Sequence, residues 1–379
     1  MIESVVNQAS TPKKPFSPEQ AKALRKKLLA WYRRHRRDLP WREMNGRSVH
    51  PYHVLLSEAM LQQTQVTTVV PYFHRFIEAF PAVNDLAEAD EQRVLTLWQG
   101  LGYYRRARNL HAAAKMIVRD FAGEVPKSVE DLLKLPGVGQ YTAGAIASIA
   151  HGTRAAVVDG NVERVFARLM LIEDPINAPA TKKKVWAIAE DLVPKSSPGD
   201  YNQALMELGA MICTPKLPKC FVCPVREQCR AVQETNPEAL PIKLAKKKPK
   251  DVTHAVIAAE RNGKYLFEQR PSEGLWSNMW QLPTFEMPVE KRESGRRVNT
   301  LLIDWFQERF GLRLDTPQQI TEFTHQTTHR TIRFVVLQAS VASGRLKPNA
   351  GVWRRLNQIH DLPMSNPQRM AISMLRKAE

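Results

Sequence analysis

"LPGVGQYTAGAI" (Leu135–Ile146) is the stretch on which the reading of the chain turns. A helical run, "SVEDLLKL", stops at Leu135-Pro136, and another begins at Gln140. Gly137 and Gly139 permit backbone angles closed to other residues and leave no side chains in the way. Successive amides in such a turn, leading into a helix N-terminus, form a concave anion site. A nucleic-acid phosphate fits there without base specificity. A plain helix–helix connection explains the glycines equally well, so the turn alone leaves both readings open. Tyr141 is the first large side chain after it.

Around this turn, helical periodicity runs from Ser17 to about Val232. Ser17, Pro18 and Gln20 predict a capping box for "AKALRKKLLAWYRRHRR". From "ETNPEALPIKLAKKKPKD" the chain turns polar, basic and proline-bearing, which predicts a linker over 233–250. After Asp251 the pattern is α+β: "THAVIAAERNGKYLFEQR" carries an Asn262-Gly263 hairpin signal, "RTIRFVVLQASV" reads as a strand, and "VNTLLIDWFQERFGL" as a helix ending near Gly311. No internal repeat is present. The expected domains are 1–232, with a helical barrel at about 45–150, and 251–379.

The net charge of +17 makes a polyanion the first partner to consider. No apolar run approaches the ~18 residues of a membrane span. The N-terminus lacks a basic start followed by an apolar stretch, so a secretory signal is not expected and a cytoplasmic, reducing interior is. All four cysteines sit in "CTPKLPKCFVCPVREQC": Cys213, Cys220, Cys223 and Cys229. Such a compartment disfavours disulfides. Four thiolates suit zinc or iron–sulfur. Only the middle pair has the C-x2-C spacing of zinc sites, so one cluster on four cysteines is the preferred reading.

Taken together, "LLSEAMLQQTQV", "WQGLGYYRRARNLH", "LPGVGQYTAGAI", "VVDGNVERV" and "YNQALMELGAMICTPKLPKC" resemble the endonuclease III superfamily of DNA glycosylases, and within it the MutY type. The resemblance covers nearly all of 20–232 and continues, more weakly, into the C-terminal third. It implies an all-α helix-hairpin-helix glycosylase with a 4Fe–4S cluster on the four cysteines, followed by a Nudix-like α+β domain. The implied activity is excision of adenine mispaired with 8-oxoguanine in double-stranded DNA, by a monomer.

The resemblance also implies roles. Glu58 is the acid that protonates the leaving base. Its helix neighbours Val54, Leu55 and Leu61 are apolar, which should raise its pKa. Asp159 stabilises the cationic sugar, as in retaining glycoside hydrolysis, although alone it reads as a helix cap. Asn161 hydrogen-bonds within the site. Lysine stands at the position of Tyr141 in bifunctional members, where it forms an imine. A phenol cannot, so base removal without strand cutting is expected. Arg37, Trp41, Arg42, Leu61 and Gln203 line the adenine pocket. Gln63, Thr64, Leu101, Gly102 and Tyr103 wedge into the duplex, and the Tyr103-Tyr104 pair also suits base stacking. Gly137, Val138 and Gly139 hold phosphate. The loop Phe323-Thr324-His325 contacts the lesion; the family's middle residue is serine. A single Arg292-Glu293 without a Glu-Glu pair implies binding and not phosphohydrolysis. The insertion "EMNGRSVH" (Glu43–His50) leaves the placement of Arg42 open.

Two rival classes remain at this stage. One is a bifunctional glycosylase/lyase, opposed by Tyr141 and Glu58. The other is a non-catalytic DNA-binding or redox-sensing protein, which needs neither Glu58 nor Asp159.

Overall fold

A computed structural model describes residues 16–42, 49–245, 248–287 and 295–378. Most of the insertion (43–48) and the Arg292-Glu293 pair lie outside the described residues. Twelve helices come first among those described: α1 (Pro18–His35), α2 (Pro51–Leu61), α3 (Val66–Ala79), α4 (Val83–Glu88), α5 (Glu91–Trp98), α6 (Arg105–Asp120), α7 (Val129–Lys134), α8 (Gln140–His151), α9 (Gly160–Leu169), α10 (Pro179–Leu192), α11 (Pro198–Met211) and α12 (Arg230–Glu234). The starts follow local chemistry. Ser17 and Gln20 form the capping box on α1, Ser128 caps α7, and Asp159 caps α9. Proline opens α2, α10 and α11, where its missing N–H costs nothing.

The chain forms two compact units, and each is discontinuous. The first comprises 1–62 and 119–245, the second 63–118 and 246–379. In the first, α1, α9, α10 and α11 enclose an apolar core that includes Leu24, Leu28, Phe166, Val185, Leu192 and Leu205. Residues beyond α12 close onto it: Leu240 is buried there, and Ile176 N donates to Ile242 O at 2.8 Å.

The second unit carries an eight-stranded mixed sheet: β1 (Lys250–Arg261), β2 (Lys264–Gln269), β3 (Trp280–Gln281), β4 (Thr284–Met287), β5 (Leu312–Leu314), β6 (Gln318–Gln326), β7 (Arg330–Gly344) and β8 (Val352–Arg354). Asn262 and Gly263, both at positive φ, form the β1–β2 turn the dipeptide predicts. β1 pairs in parallel with β7 and antiparallel with β2 and β4. Its alternate residues enter two different cores. Val252, Val256 and Ala258 pack with Ala371, Ile372 and Leu375 of α14 (Asn366–Ala378). Ala255, Ile257 and Ala259 pack with Leu302, Phe306 and Phe310 of α13 (Gly295–Phe310). Helices on both faces explain why β1 reads as a continuous apolar run.

Candidate active site and cysteine site

In the first unit, three side chains from separate elements meet. Glu58 comes from α2, Tyr141 from the first turn of α8, and Asp159 from the cap of α9. The hairpin between α7 and α8 sets Tyr141: Val138 is buried, its N–H donates to Leu135 O at 3.1 Å, and Gly137 sits at φ +77°, where a side chain would be strained. Gly139 is exposed, and a side chain there would meet nothing, so this face is open.

Glu58 is only 6% exposed, and its Oε2 has no partner among the described residues. Burial lifts its pKa to about 7; a hydrogen bond from Tyr141 and the charge of Arg42 pull the other way, while Asp159 adds to the rise. The carboxyl thus keeps a proton where exposed carboxyls have lost theirs. The Tyr141 phenol, buried beside Glu58 and Asp159, is pushed well above its ordinary value and stays neutral. Its oxygen lies 3.4 Å from Met206 Sδ.

Asp159 is half-buried, and three donors hold it. Its Oδ1 accepts from the backbone of Asn161 (3.0 Å) and Val162 (2.7 Å), and its Oδ2 from Asn161 Nδ2 (2.9 Å). Burial raises its pKa, and these donors oppose the rise. Capping and site membership are therefore one geometry. Asn161 is oriented in turn by Arg164, whose Nη2 donates to Asn161 Oδ1 (2.9 Å) and Gly209 O (2.7 Å) and whose Nε donates to Cys213 O (2.7 Å). Sequence reasoning missed Arg164, although it follows Asn161 at helical spacing. Gly209 permits this approach of α11: an added Cβ would lie 2.6 Å from Asn161 Cβ.

Arg37 and Arg42 are committed to a residue the sequence reading also missed. Glu207, buried on α11, accepts from Arg37 Nη2 at 2.8 Å and Arg42 Nη2 at 2.7 Å. Burial alone would raise its pKa, but the two guanidiniums outweigh burial and hold it below its ordinary value. Arg42 Nη1 donates to Arg37 O, and its buried Nε has no partner among the described residues. Trp41 and Gln203 are buried, and Leu61 is half-buried. Glu207 follows Gln203 by one helical turn, but that spacing alone does not mark it.

The four cysteines are unbridged. Burial raises the thiol pKa of Cys223 to about 12, with Cys213, Cys229 and Cys220 adding to the rise, so all four lie within electrostatic reach. Among the described residues no three Cys, His, Asp or Glu side chains group as ligands of one ion. Arg168 is 1% exposed and donates to Cys213 Sγ (3.3 Å) and to the carbonyls of Thr214, Pro215 and Leu240. A buried guanidinium bonded to carbonyls and one sulfur calls for negative charge nearby, and four thiolates on an iron–sulfur core would fit that need.

In the second unit the placement corrects several expectations. Leu101 is buried, so the exposed tip of its turn is Tyr103, at φ +47° and 51% exposed. Tyr104 is buried and cannot stack on a base. Gln63, at φ +58°, is exposed. Arg106 Nη2 ties Thr64 Oγ1 to the carbonyls of Leu101 and Gly102 at 3.1–3.2 Å. Phe323-Thr324-His325 is not a loop: it lies in β6, paired with Phe334, Arg333 and Ile332 of β7. Strand alternation turns Phe323 and His325 inward and leaves Thr324 exposed.

Residues 56–195 match the HhH-GPD superfamily of base excision DNA repair proteins, and residues 254–374 match the NUDIX domain. A solved thermostable thymine-DNA glycosylase covers 57% of this chain with 98% of its own, at 30% identity and a TM-score of 0.51. An adenine DNA glycosylase of Arabidopsis thaliana is 38% identical over 83% of this chain, which spans 56% of that protein's length. One from Buchnera aphidicola subsp. Schizaphis graminum is 30% identical, with 92% of this chain matched to 97% of the relative. The chain belongs to the adenine DNA glycosylase family. Among the described residues no helix is long and apolar enough to cross a membrane.

Proposed function

We propose that this protein is a monofunctional DNA glycosylase, acting as a monomer, that excises adenine opposite 8-oxoguanine. The observation that carries the reading is the pairing of Glu58, buried and proton-retaining at about pH 7, with Asp159, held by three donors. Glycosidic cleavage needs such an unlike pair. Glu58 gives its proton to adenine N7 as the base leaves. The Asp159 carboxylate faces the sugar cation and closes on it as a transient ester; water then opens that ester with Glu58 as base. Asn161 holds Asp159 in place. Tyr141 shields the sugar and offers no amine for an imine.

Arg37, Trp41, Arg42, Leu61 and Gln203 form the adenine pocket. Arg42 Nε, a buried donor without a partner among the described residues, supports this. Gly137, Val138 and Gly139 take a phosphate of the same strand. Gln63, Thr64, Gly102 and Tyr103, with Thr324 and its half-buried neighbours Phe323 and His325, read the opposite base. Base removal is assigned to 1–232 and lesion reading chiefly to 251–379. Cys213, Cys220, Cys223 and Cys229 would hold a 4Fe–4S cluster; the buried Arg168 cation beside Cys213 supports it. The place of action is the compartment that holds the DNA, the cytoplasm in a bacterium.

The test is single-turnover incubation with one adenine opposite 8-oxoguanine, each sample run with and without hot alkali. Strand breaks only after alkali are expected. Breaks without alkali, or strong borohydride trapping, would mean a lyase. Tight binding with no abasic site would mean a recognition protein.

A further inference from the structure

The residues proposed for base chemistry, Glu58, Tyr141, Asp159 and Asn161, belong to the first unit. The lesion-facing residues Gln63, Thr64 and Tyr103 belong to the second, as do Phe323, Thr324 and His325, although these two groups are far apart in sequence. Within that unit, hydrogen bonds tie the Tyr103 turn and the helices beside it to Met364 and to Ser277–Asn278, which adjoin the core packed against Phe323. The turn that ends in Tyr103 begins at Gln99. Gln99 Oε1 accepts from Met364 N at 2.9 Å. The hydroxyl of the buried Tyr104 donates to Met364 O at 3.1 Å and accepts from Gly100 N at 3.4 Å. Both backbone groups of one buried residue are thus taken by the two flanks of the turn. Met364 is itself fixed to the sheet by a bridge to Trp280.

A second tie lies toward β6. Arg108 Nη1 donates to Ser277 O (2.8 Å), Asn278 Nδ2 to Glu91 Oε1 (2.7 Å), and Gln92 Nε2 to Asn278 O (3.2 Å). Ser277 and Asn278 directly follow Trp276, whose ring packs on His325 with centroids 6.1 Å apart. Neither the turn nor β6 is therefore free to settle on a duplex by itself.

We propose that Gln99 and Tyr104 are positioning residues for specificity: their clamp on Met364 joins the Tyr103 turn to the β6 face, so that the base opposite the adenine is read by one rigid surface. This rests on the functional reading above. A rigid pair of contacts engages both at once, with no further loss of freedom for the second; a loosened pair forfeits that advantage. Guanine lacks the features that 8-oxoguanine presents and gains little from either arrangement.

Tyr104→Phe keeps the ring in the core and removes only the hydroxyl. Gln99→Ala removes the other half. Single-turnover rates are measured for each on adenine opposite 8-oxoguanine and on adenine opposite guanine. The ratio of the two rates is expected to fall about fivefold or more in each variant, with the rate opposite guanine within about twofold of the parent. A purely structural role would slow both substrates alike. An unchanged ratio, whether both rates fall or neither does, overturns the clamp. If the parent protein removes adenine from neither duplex, the functional reading has failed instead. The ratio of binding affinities for the two duplexes then decides the clamp, and an unchanged ratio in both variants overturns it.

Discussion

At the scale of single residues, Glu58 trades stability for a proton. Its carboxyl titrates near 7 when folded and at its ordinary 4.5 when unfolded. Between these values the folded chain binds the extra proton, so its stability falls as pH rises through that window. Glu58→Gln should therefore abolish excision and stabilise the fold above pH 7, by on the order of 3 kcal/mol, with almost no gain below pH 4.5. Denaturant unfolding at acid and alkaline pH checks this, and an equal gain at both would refute it. With the native enzyme, the excision rate should fall as pH rises past about 7, where the acid loses its proton. Asp159→Asn separates two roles of one side chain. Asparagine caps helices as well as aspartate does, so melting should change little while excision is lost. The apolar neighbours of Glu58 hinted at its burial, but periodicity alone favours a partly exposed helical Glu, and only the family resemblance tips the reading. Glu207 was not readable in that way, because what marks it is two arginines from another element, and contact across elements leaves no local pattern.

Among the elements, the approach of α11 to α9 sets how firmly Asp159 and Asn161 are held. Gly209→Ala would place a methyl 2.6 Å from Asn161 Cβ, and one of the two helices must yield. Excision should drop about a hundredfold, with duplex affinity nearly kept, since a small misplacement of a reacting group is costly. Single-turnover rates beside binding titrations separate the two. Helix existence was largely legible: Ser17, Ser128 and Asp159 mark starts, and Gly311 marks the end of α13. The strand β6 was read as a loop at Phe323-Thr324-His325 because its alternation is broken: a bulge between Gln319 and Thr321 sets the apolar Ile320 and Phe323 three positions apart. Leu101 is a similar case. Its apolar side chain fits a duplex wedge or a core equally well, and only burial decides.

For the whole molecule, the surplus of 55 basic over 38 acidic residues predicts that DNA affinity falls steeply with salt. Between 50 and 200 mM salt the loss should be at least about tenfold, and a flat response in a filter-binding or anisotropy titration would contradict it. The change of composition after residue 232 announces a second kind of fold, and the sheet at 250 onward follows. Composition cannot reveal that 63–118 shares a compact unit with that sheet, because the ties at Gln99, Tyr104 and Met364 join residues more than two hundred positions apart.

That discontinuity bears on biosynthesis. Residues 63–118 leave the ribosome well before 246–379 exist, a delay on the order of ten seconds at ordinary elongation speeds. Throughout it, Gln99 and Tyr104 lack their partner at Met364. A nascent chain halted near residue 245 should thus carry the helices from Val66 to Asp120 in a protease-sensitive form, and protection should come only when the last helix, α14, has emerged.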